Sequence, residues 1–255
     1  MRVVQITDLH IDESHEYPFD IDIRQNLRRI LRAIGKSGAE HLVVTGDLCY
    51  RDGNTEIYRW IYGQLEALGL PYDIIAGNHD DTVMMAEAFG RRALLTGEEM
   101  FYTKKLGSHY CIFLDSSRGT HSEQQLNWLR RQLKQAGTKE VIVFMHHPPL
   151  QAGVPYMDDN HALQDAEQVQ RIFAQYPGRV LVYTGHYHVE KTIVQGNMLL
   201  QITPSCFFQI DMRATEFKVD HHQIAYRVID LSNKKVSSTL YYLRGSKKVV
   251  RDGLV

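Results

Sequence analysis

The chain has 255 residues, 44% of them hydrophobic and 23% charged, enough to bury one full core as a single domain over 1–255 and too little for a second catalytic domain. A formal net charge of −1 excludes general attraction to a nucleic-acid polymer or an anionic membrane, so an anionic substrate must be held by local charge of the kind bound metal ions supply. No run approaches the roughly 18 apolar residues of a membrane span, and no apolar leader precedes Arg2. Cys49, Cys111 and Cys206 are odd in number and lie in or beside strand-like runs, which predicts buried thiols and a cytoplasmic location.

In chain order, the apolar run Val3 to Thr7 reads as a buried parallel strand, followed by a helix through Ile23, Leu27, Ile30, Leu31 and Ile34. A second strand, Leu42 to Thr45, leads to an Asn54 cap and a helix through Ile57, Ile61, Leu65 and Leu68; Ile74 to Ala76 is the third strand. The first half is thus β-α-β-α-β. Ser122 with Gln125 is a capping-box signal for a helix through Leu126, Leu129 and Leu133. Strands at Val141 to Met145 and Val180 to Thr184 flank a helix marked by Val169, Ile172 and Phe173, which ends before Pro177. After Gly185 short alternating runs, Thr192 to Val194, Leu199 to Ile202, Ala225 to Ile229 and Val236 to Leu243, predict a mainly antiparallel section that completes a second sheet. The weakest segments are Gln151 to Leu163, Phe207 to Gln223 and the basic end over 245–255, read as a solvated tail.

Each of the five buried strands ends in residues suited to metal or phosphate: Asp8-Leu9-His10, Gly46-Asp47, Gly77-Asn78-His79-Asp80, His146-His147-Pro148 and Gly185-His186-Tyr187-His188. The carboxyl ends of such strands line one crevice in an open α/β sheet, so distant residues can meet there. Asp8 and His10 sit two apart, and a turn, not the pleat, must aim both at one ion. Gly46 allows the close backbone approach that frees Asp47 to bridge two ions. Seven candidate ligands, Asp8, His10, Asp47, Asn78, His146, His186 and His188, include no thiolate and are too many for one tetrahedral zinc. They suit two transition-metal ions, divalent or mixed-valence Mn, Fe, Co or Zn, more than Ca or Mg. Each fragment alone has a plainer reading as a turn, a cap or a strand stop; their conjunction at five strand ends decides for a two-metal phosphoester hydrolase. His15, His41, His109 and His121 read as surface or locally hydrogen-bonded residues.

These motifs resemble the calcineurin-like metallophosphoesterases, whose pattern is Asp-x-His, Gly-Asp, Gly-Asn-His-Asp/Glu, a later His and Gly-His-x-His. The resemblance implies a four-layer α-β-β-α sandwich of two mixed sheets flanked by helices. It also implies that Asp8, His10, Asp47 and His188 hold one metal, and that Asp47 as bridge, Asn78, His146 and His186 hold the other. His79 would contact phosphoryl oxygens and help protonate the leaving group, and Asp80 would orient a neighbouring group. Phe144 to Leu150, Leu114-Asp115-Ser116-Ser117 and Thr203-Pro204-Ser205 resemble the branch of class III cyclic nucleotide phosphodiesterases and glycerophosphodiesterases. The Asp-Arg-Gly spacing of Ser/Thr protein phosphatases is absent after Gly46-Asp47.

The expected activity is hydrolysis of a small phosphodiester, most often a 3',5'-cyclic nucleotide, by attack of a metal-bridging hydroxide. A glycerophosphodiesterase, a broad phosphomonoesterase and a non-catalytic scaffold are the alternatives. Because any phosphoester presents the same oxygens to the metals, specificity falls to rim residues. Asn78, His79, Asn160, Phe208 and His222 are the candidate substrate-binding residues, the last three from loops whose alternative role is to cover the core or to pair with a second subunit in a homo-oligomer.

Overall fold

A computed structural model describes residues 1–246. In chain order it contains β1 (Arg2–Ile6), α1 (Ile23–Ile34), β2 (His41–Thr45), α2 (Thr55–Leu68), β3 (Tyr72–Ile75), α3 (Thr82–Ala88), β4 (Tyr102–Leu106) and β5 (His109–Phe113). There follow α4 (Glu123–Ala136), β6 (Val141–Phe144), α5 (Pro155–Asn160), α6 (Ala166–Ala174), β7 (Val180–Thr184), β8 (Lys191–Gln195), β9 (Met198–Ile202), β10 (Gln223–Leu231) and β11 (Val236–Arg244). Two mixed sheets result, β11-β10-β1-β2-β3 and β8-β9-β7-β6-β5-β4. Within them β1, β2 and β3 run parallel, as do β5, β6, β7 and β9.

Alternation along each strand sorts side chains into layers. Val3, Val43, Ile75, Phe113, Phe144 and Tyr183 fill the space between the sheets, while Val4, Ile6, Leu42 and Val44 pack outward with Leu27, Ile30, Ile61 and Leu65 of α1 and α2. Tyr102, Phe113, Phe144 and Tyr183 form a ladder of near-parallel rings across four neighbouring strands, with centroids 4.6, 5.2 and 5.6 Å apart. The registers Ile6 to Val44, Thr45 to Ile75 and Phe144 to Tyr183 bring the carboxyl ends of five strands level, so their outgoing loops meet.

Asn54 caps α2 by accepting from the amides of Glu56 and Ile57, and Ser122 caps α4 by accepting from Gln125 N. The predicted capping box is only half made. Gln125 turns its amide onto Glu99 and the carbonyl of Asp115, and Ser122 N donates to Glu99 instead. The section after Gly185 also differs from expectation. Only β8 and β9 join the second sheet, with β9 parallel to β7, whereas β10 and β11 return to the first sheet, antiparallel to β1 and to each other. Of the tail expected over 245–255, residues 247–255 lie outside the described residues. Ser246 is buried, and its amide donates to Asn26 Oδ1 at 2.7 Å. Among the described residues no helix is long and apolar enough to cross a membrane.

Candidate metal centre

Backbone hydrogen bonds join the loop leaving β1 to that leaving β2, Asp8 N to Gly46 O (3.0 Å) and His10 N to Asp47 O (2.9 Å), and the loop leaving β7 to that leaving β6, Gly185 N to His146 O (3.1 Å). The chain turns sharply at these points. Asp8, His10, Asp47, His186 and His188 all adopt left-handed backbone, with φ of 53°, 46°, 51°, 67° and 52°. Such conformations cost L-residues about 1–3 kcal/mol each and concentrate where function requires them. Gly46 (φ 93°) has no room for a side chain, since a Cβ would lie 2.5 Å from His146 Nδ1, and one on Gly77 would collide with the Asp47 carboxylate.

Two clusters converge in this junction, Asp8 with His10 and His188, and Asp47 with His146 and His186; within each, the potential ligand atoms lie inside 4.8 Å of one another. His10, Asp47 and His79 form an overlapping third group. Across the centre, His146 Nε2 is 3.3 Å from Asp47 Oδ1 and 4.0 Å from Asp8 Oδ1, while His188 Nε2 is 3.4 Å from Asp8 Oδ1. His10 Nε2 and His188 Nε2 approach to 2.9 Å.

Backbone carbonyls aim the imidazoles. His146 Nδ1 donates to Thr45 O (2.8 Å), His188 Nδ1 to Phe208 O (3.0 Å) and His186 Nε2 to His161 O (2.9 Å), which in each case turns the other ring nitrogen inward. His79 Nδ1 donates to Arg51 O (2.9 Å), and its amide donates to Asp47 Oδ1 (3.0 Å). Asp80 faces away from the crevice. Its carboxylate accepts from Gly77 N, Leu48 N, Cys49 N and the Tyr58 hydroxyl at 2.9–3.2 Å, tying the loop after β3 to the loop after β2. Burial, reinforced by Asp47, pushes the Asp80 carboxyl up to about 6.

The charge state of most of the cluster matches what transition metals require, and His146 must give up a proton to ligate. Burial opposes ionisation of Asp8 and Asp47, yet the surrounding imidazoles, His188 and His146 foremost, hold both carboxyls below the ordinary carboxylate range. Burial likewise pushes His10 and His186 down to about 3, leaving neutral, ligating imidazoles. His146 goes the other way: Asp47 and Asp8 overcome its burial and hold it up to about 9, so the carboxylates draw positive charge into the centre. Among the described residues His146 Nε2 and His10 Nδ1 are buried with no hydrogen-bond partner. Two anionic carboxylates, inward imidazole nitrogens, an orphaned His146 Nε2 and no thiolate fit mixed nitrogen and oxygen coordination.

A cavity of about 240 Å³ lies over the centre, and Asn78 and His79 line it beside His10, Asp47, His186 and His188. Of the rim residues expected from the sequence, Phe208 lines it, whereas Asn160 does not. The Asn160 amide turns back to donate to Tyr156 O (2.8 Å) because the segment from Pro155 is a short helix, and Tyr156 and His161 of that segment face the cavity instead. His222 is also displaced, exposed beside Arg29 and Arg244 in a separate hollow, since the chain is already entering β10 there. Phe19 and Phe217 complete the rim and were not anticipated; each is isolated in a polar stretch with no periodic signal. His147 is buried behind the centre, its Nδ1 3.0 Å from Ser116 Oγ.

Residues 1–190 match the family described as calcineurin-like phosphoesterase. The chain is 29% identical over 242 residues to a protein of Fibrobacter succinogenes named probable cyclic nucleotide phosphodiesterase, covering 95% of this chain and 94% of that one. It is 28% identical over 240 residues to the 3',5'-cyclic adenosine monophosphate phosphodiesterase CpdA of Escherichia coli K12, covering 91% and 85%. It is 27% identical over 225 residues to a protein of Arcobacter nitrofigilis named probable glycerophosphodiester phosphodiesterase GpdQ, covering 84% and 82%. Among solved structures, a dimetal phosphatase from Danio rerio shares the fold with a TM-score of 0.70 at 12% identity, covering 97% and 96%. The chain belongs to the calcineurin-like phosphoesterase family and is a metal-dependent phosphoric ester hydrolase.

Proposed function

We propose that this enzyme is a two-metal phosphodiesterase acting on a 3',5'-cyclic nucleotide, with Asp8, His10 and His188 holding one ion, Asn78, His146 and His186 the other, and Asp47 shared. When bound, the two ions supply Lewis acidity to the phosphoryl oxygens and lower the pKa of the attacking water. The chain's own residues do the rest. Thr45, Phe208 and His161 carbonyls fix the imidazoles, and Asp80 locks the loops that carry Asp47 and Asn78. His79, oriented by Arg51 O, presents Nε2 to the cavity, where it can hold a phosphoryl oxygen or deliver a proton to the leaving oxygen.

The observation that carries the substrate reading is the cavity lining. Among the described residues it is lined by no Lys or Arg but by six Phe and Tyr residues, Phe19, Tyr50, Tyr156, Phe207, Phe208 and Phe217. Phe208 lies 4.9 Å from Phe19 and 5.9 Å from Phe217, ring to ring, and Phe19 and Phe217 remain 48% and 43% exposed. Such a rim offers faces for a base, little hydrogen bonding for a glycerol headgroup and no side-chain cation for the second charge of a monoester. The names of the relatives, which include cyclic nucleotide and glycerophosphodiester phosphodiesterases, support the diester class.

The test is a comparison of kcat/KM for Mn-loaded enzyme on 3',5'-cAMP, 3',5'-cGMP, glycerophosphoethanolamine and p-nitrophenyl phosphate. Cyclic nucleotides should lead, and Phe217→Ala should raise KM for them several-fold, consistent with about 1 kcal/mol or more per stacked base. The same variant should leave glycerophosphoethanolamine unchanged. Preference for the monoester, or an equal effect of Phe217→Ala on both diesters, would reject the reading.

A further inference from the structure

At the amino ends of β6 and β7, opposite the metal loops, the two sheets part around a second cavity of about 790 Å³. Lys105 borders it from β4, Lys139 from the loop between α4 and β6, and Lys234 and Lys235 from the turn between β10 and β11. Among the described lining residues Glu140 is the single carboxylate, and it already faces Arg179 at 3.5 Å. Among the described residues none of the four lysines makes a close ion pair, and Asp230 acts on Lys235 only from a greater distance. Ser108 Oγ donates to Asn233 Oδ1 at 2.7 Å, so the two basic turns are held together across the mouth.

A buried cation stands behind the inner wall. Arg227, 4% exposed on the inner face of β10, donates to Gln201 Oε1 (2.7 Å), Ser238 Oγ (2.8 Å), Thr203 Oγ1 (2.7 Å) and Ile202 O (3.0 Å), all of them neutral. Gln201 and Ser238 are themselves wall residues of the cavity. An interior guanidinium usually faces a carboxylate, because an uncompensated buried charge is costly. Among the described residues no carboxylate touches Arg227; Glu190 acts on it only from beyond hydrogen-bond distance, and the positive field of Arg227 reaches a space already rimmed by lysines. The floor beneath is apolar, formed by Leu181, Tyr183 and Leu199.

We propose that this distal cavity is a second, non-catalytic binding site for a small molecule carrying several phosphates. The rim cations and Arg227 would supply the counter-charge, and the volume, within the usual range for ligand pockets and about three times that of the cavity over the metals, exceeds what orthophosphate needs. An inorganic polyphosphate chain and a nucleoside polyphosphate share this chemistry. Only the nucleoside would also use the apolar floor.

The experiment is calorimetric titration of metal-loaded enzyme with sodium triphosphate and, separately, with ATP, repeated on the double variant Lys139→Gln, Lys235→Gln. The expected result is binding by the wild type that weakens at least about tenfold in the variant, with hydrolysis of bis(p-nitrophenyl) phosphate unchanged in both. Tighter binding of ATP than of triphosphate identifies the nucleoside as the ligand class, and equal binding identifies the polyphosphate chain. Chelation of the metals, or binding at the catalytic centre, would give the same signal in both proteins and overturn the proposal, as would no binding below about 1 mM. If the variant is inactive through misfolding, hydrogen exchange on the wild type decides: ligand-induced protection over 105–110 and 232–236 supports the site, and protection confined to the metal loops rejects it.

Discussion

His79 occupies an unusual position among the clustered side chains, because it follows a proposed ligand, reaches the cavity, and has its ring set by Arg51 O from outside the metal clusters. If its role is proton delivery, His79→Ala should retain both ions and slow substrates with poor alkoxide leaving groups by about 10²–10⁴, while p-nitrophenolate substrates lose much less. Rates and metal content of the purified variant check this; equal loss on both substrates would assign phosphate positioning, and loss of an ion would make His79 a ligand. The converging residues were legible because each motif couples a buried strand to a polar turn, so Asp8, His10, Asp47, His146, His186 and His188 could be placed at strand ends. What no spacing rule could show is the left-handed backbone at five of them, or the carbonyls of Thr45, Phe208 and His161 that orient the rings. Asn160 and His222 were misplaced for a simple reason: composition marks a loop as polar but does not say which of its side chains turn inward.

Between elements, the sheets are joined at one edge through Asp73 of β3. Its carboxylate accepts from His41 of β2 at 2.7 Å, from Lys104 of β4 at 2.9 Å and from the Tyr102 hydroxyl at 3.3 Å, so one residue ties the first sheet to the last strand of the second. Burial alone would raise the Asp73 carboxyl, but His41 and Lys104 hold it below its ordinary value near 3.8. A carboxyl lowered by folding contributes stability that is complete above its unfolded pKa and disappears as pH falls through the folded value. Asp73→Ala should therefore cost about 2 kcal/mol at neutral pH, a figure reduced for the exposure of Lys104, and the gap in Tm from the wild type should narrow only below about pH 4. A gap independent of pH would assign the loss to packing. Strand β4, which makes this tie, was not legible in sequence, since Lys104 and Lys105 interrupt the alternation expected of a strand. Asn54 and Ser122 were readable as caps because capping depends on the next two or three amides; the partner of Gln125 was not, because Glu99 comes from a distant turn.

For the whole molecule, the β-α-β-α-β opening and the strand-end crevice followed from local pattern, whereas the route of the last third depended on pairing. The runs now forming β10 and β11 look alike whether they extend one sheet or the other, and only their fit beside β1 places them in the first. That closure sets Arg227 between the sheets and shapes the basic end opposite the metals. In the proposed centre the loops from both sheets together hold a pair of metal ions in which Asp47 is shared. This arrangement is tested most directly by metal content and turnover measured on the same samples of wild type and Asp47→Ala, with folding checked by circular dichroism. The wild type should carry close to two transition-metal ions per chain and the folded variant fewer, with a loss of kcat on a cyclic nucleotide well beyond about 10⁴-fold. Wild-type turnover by metal-depleted Asp47→Ala would contradict it.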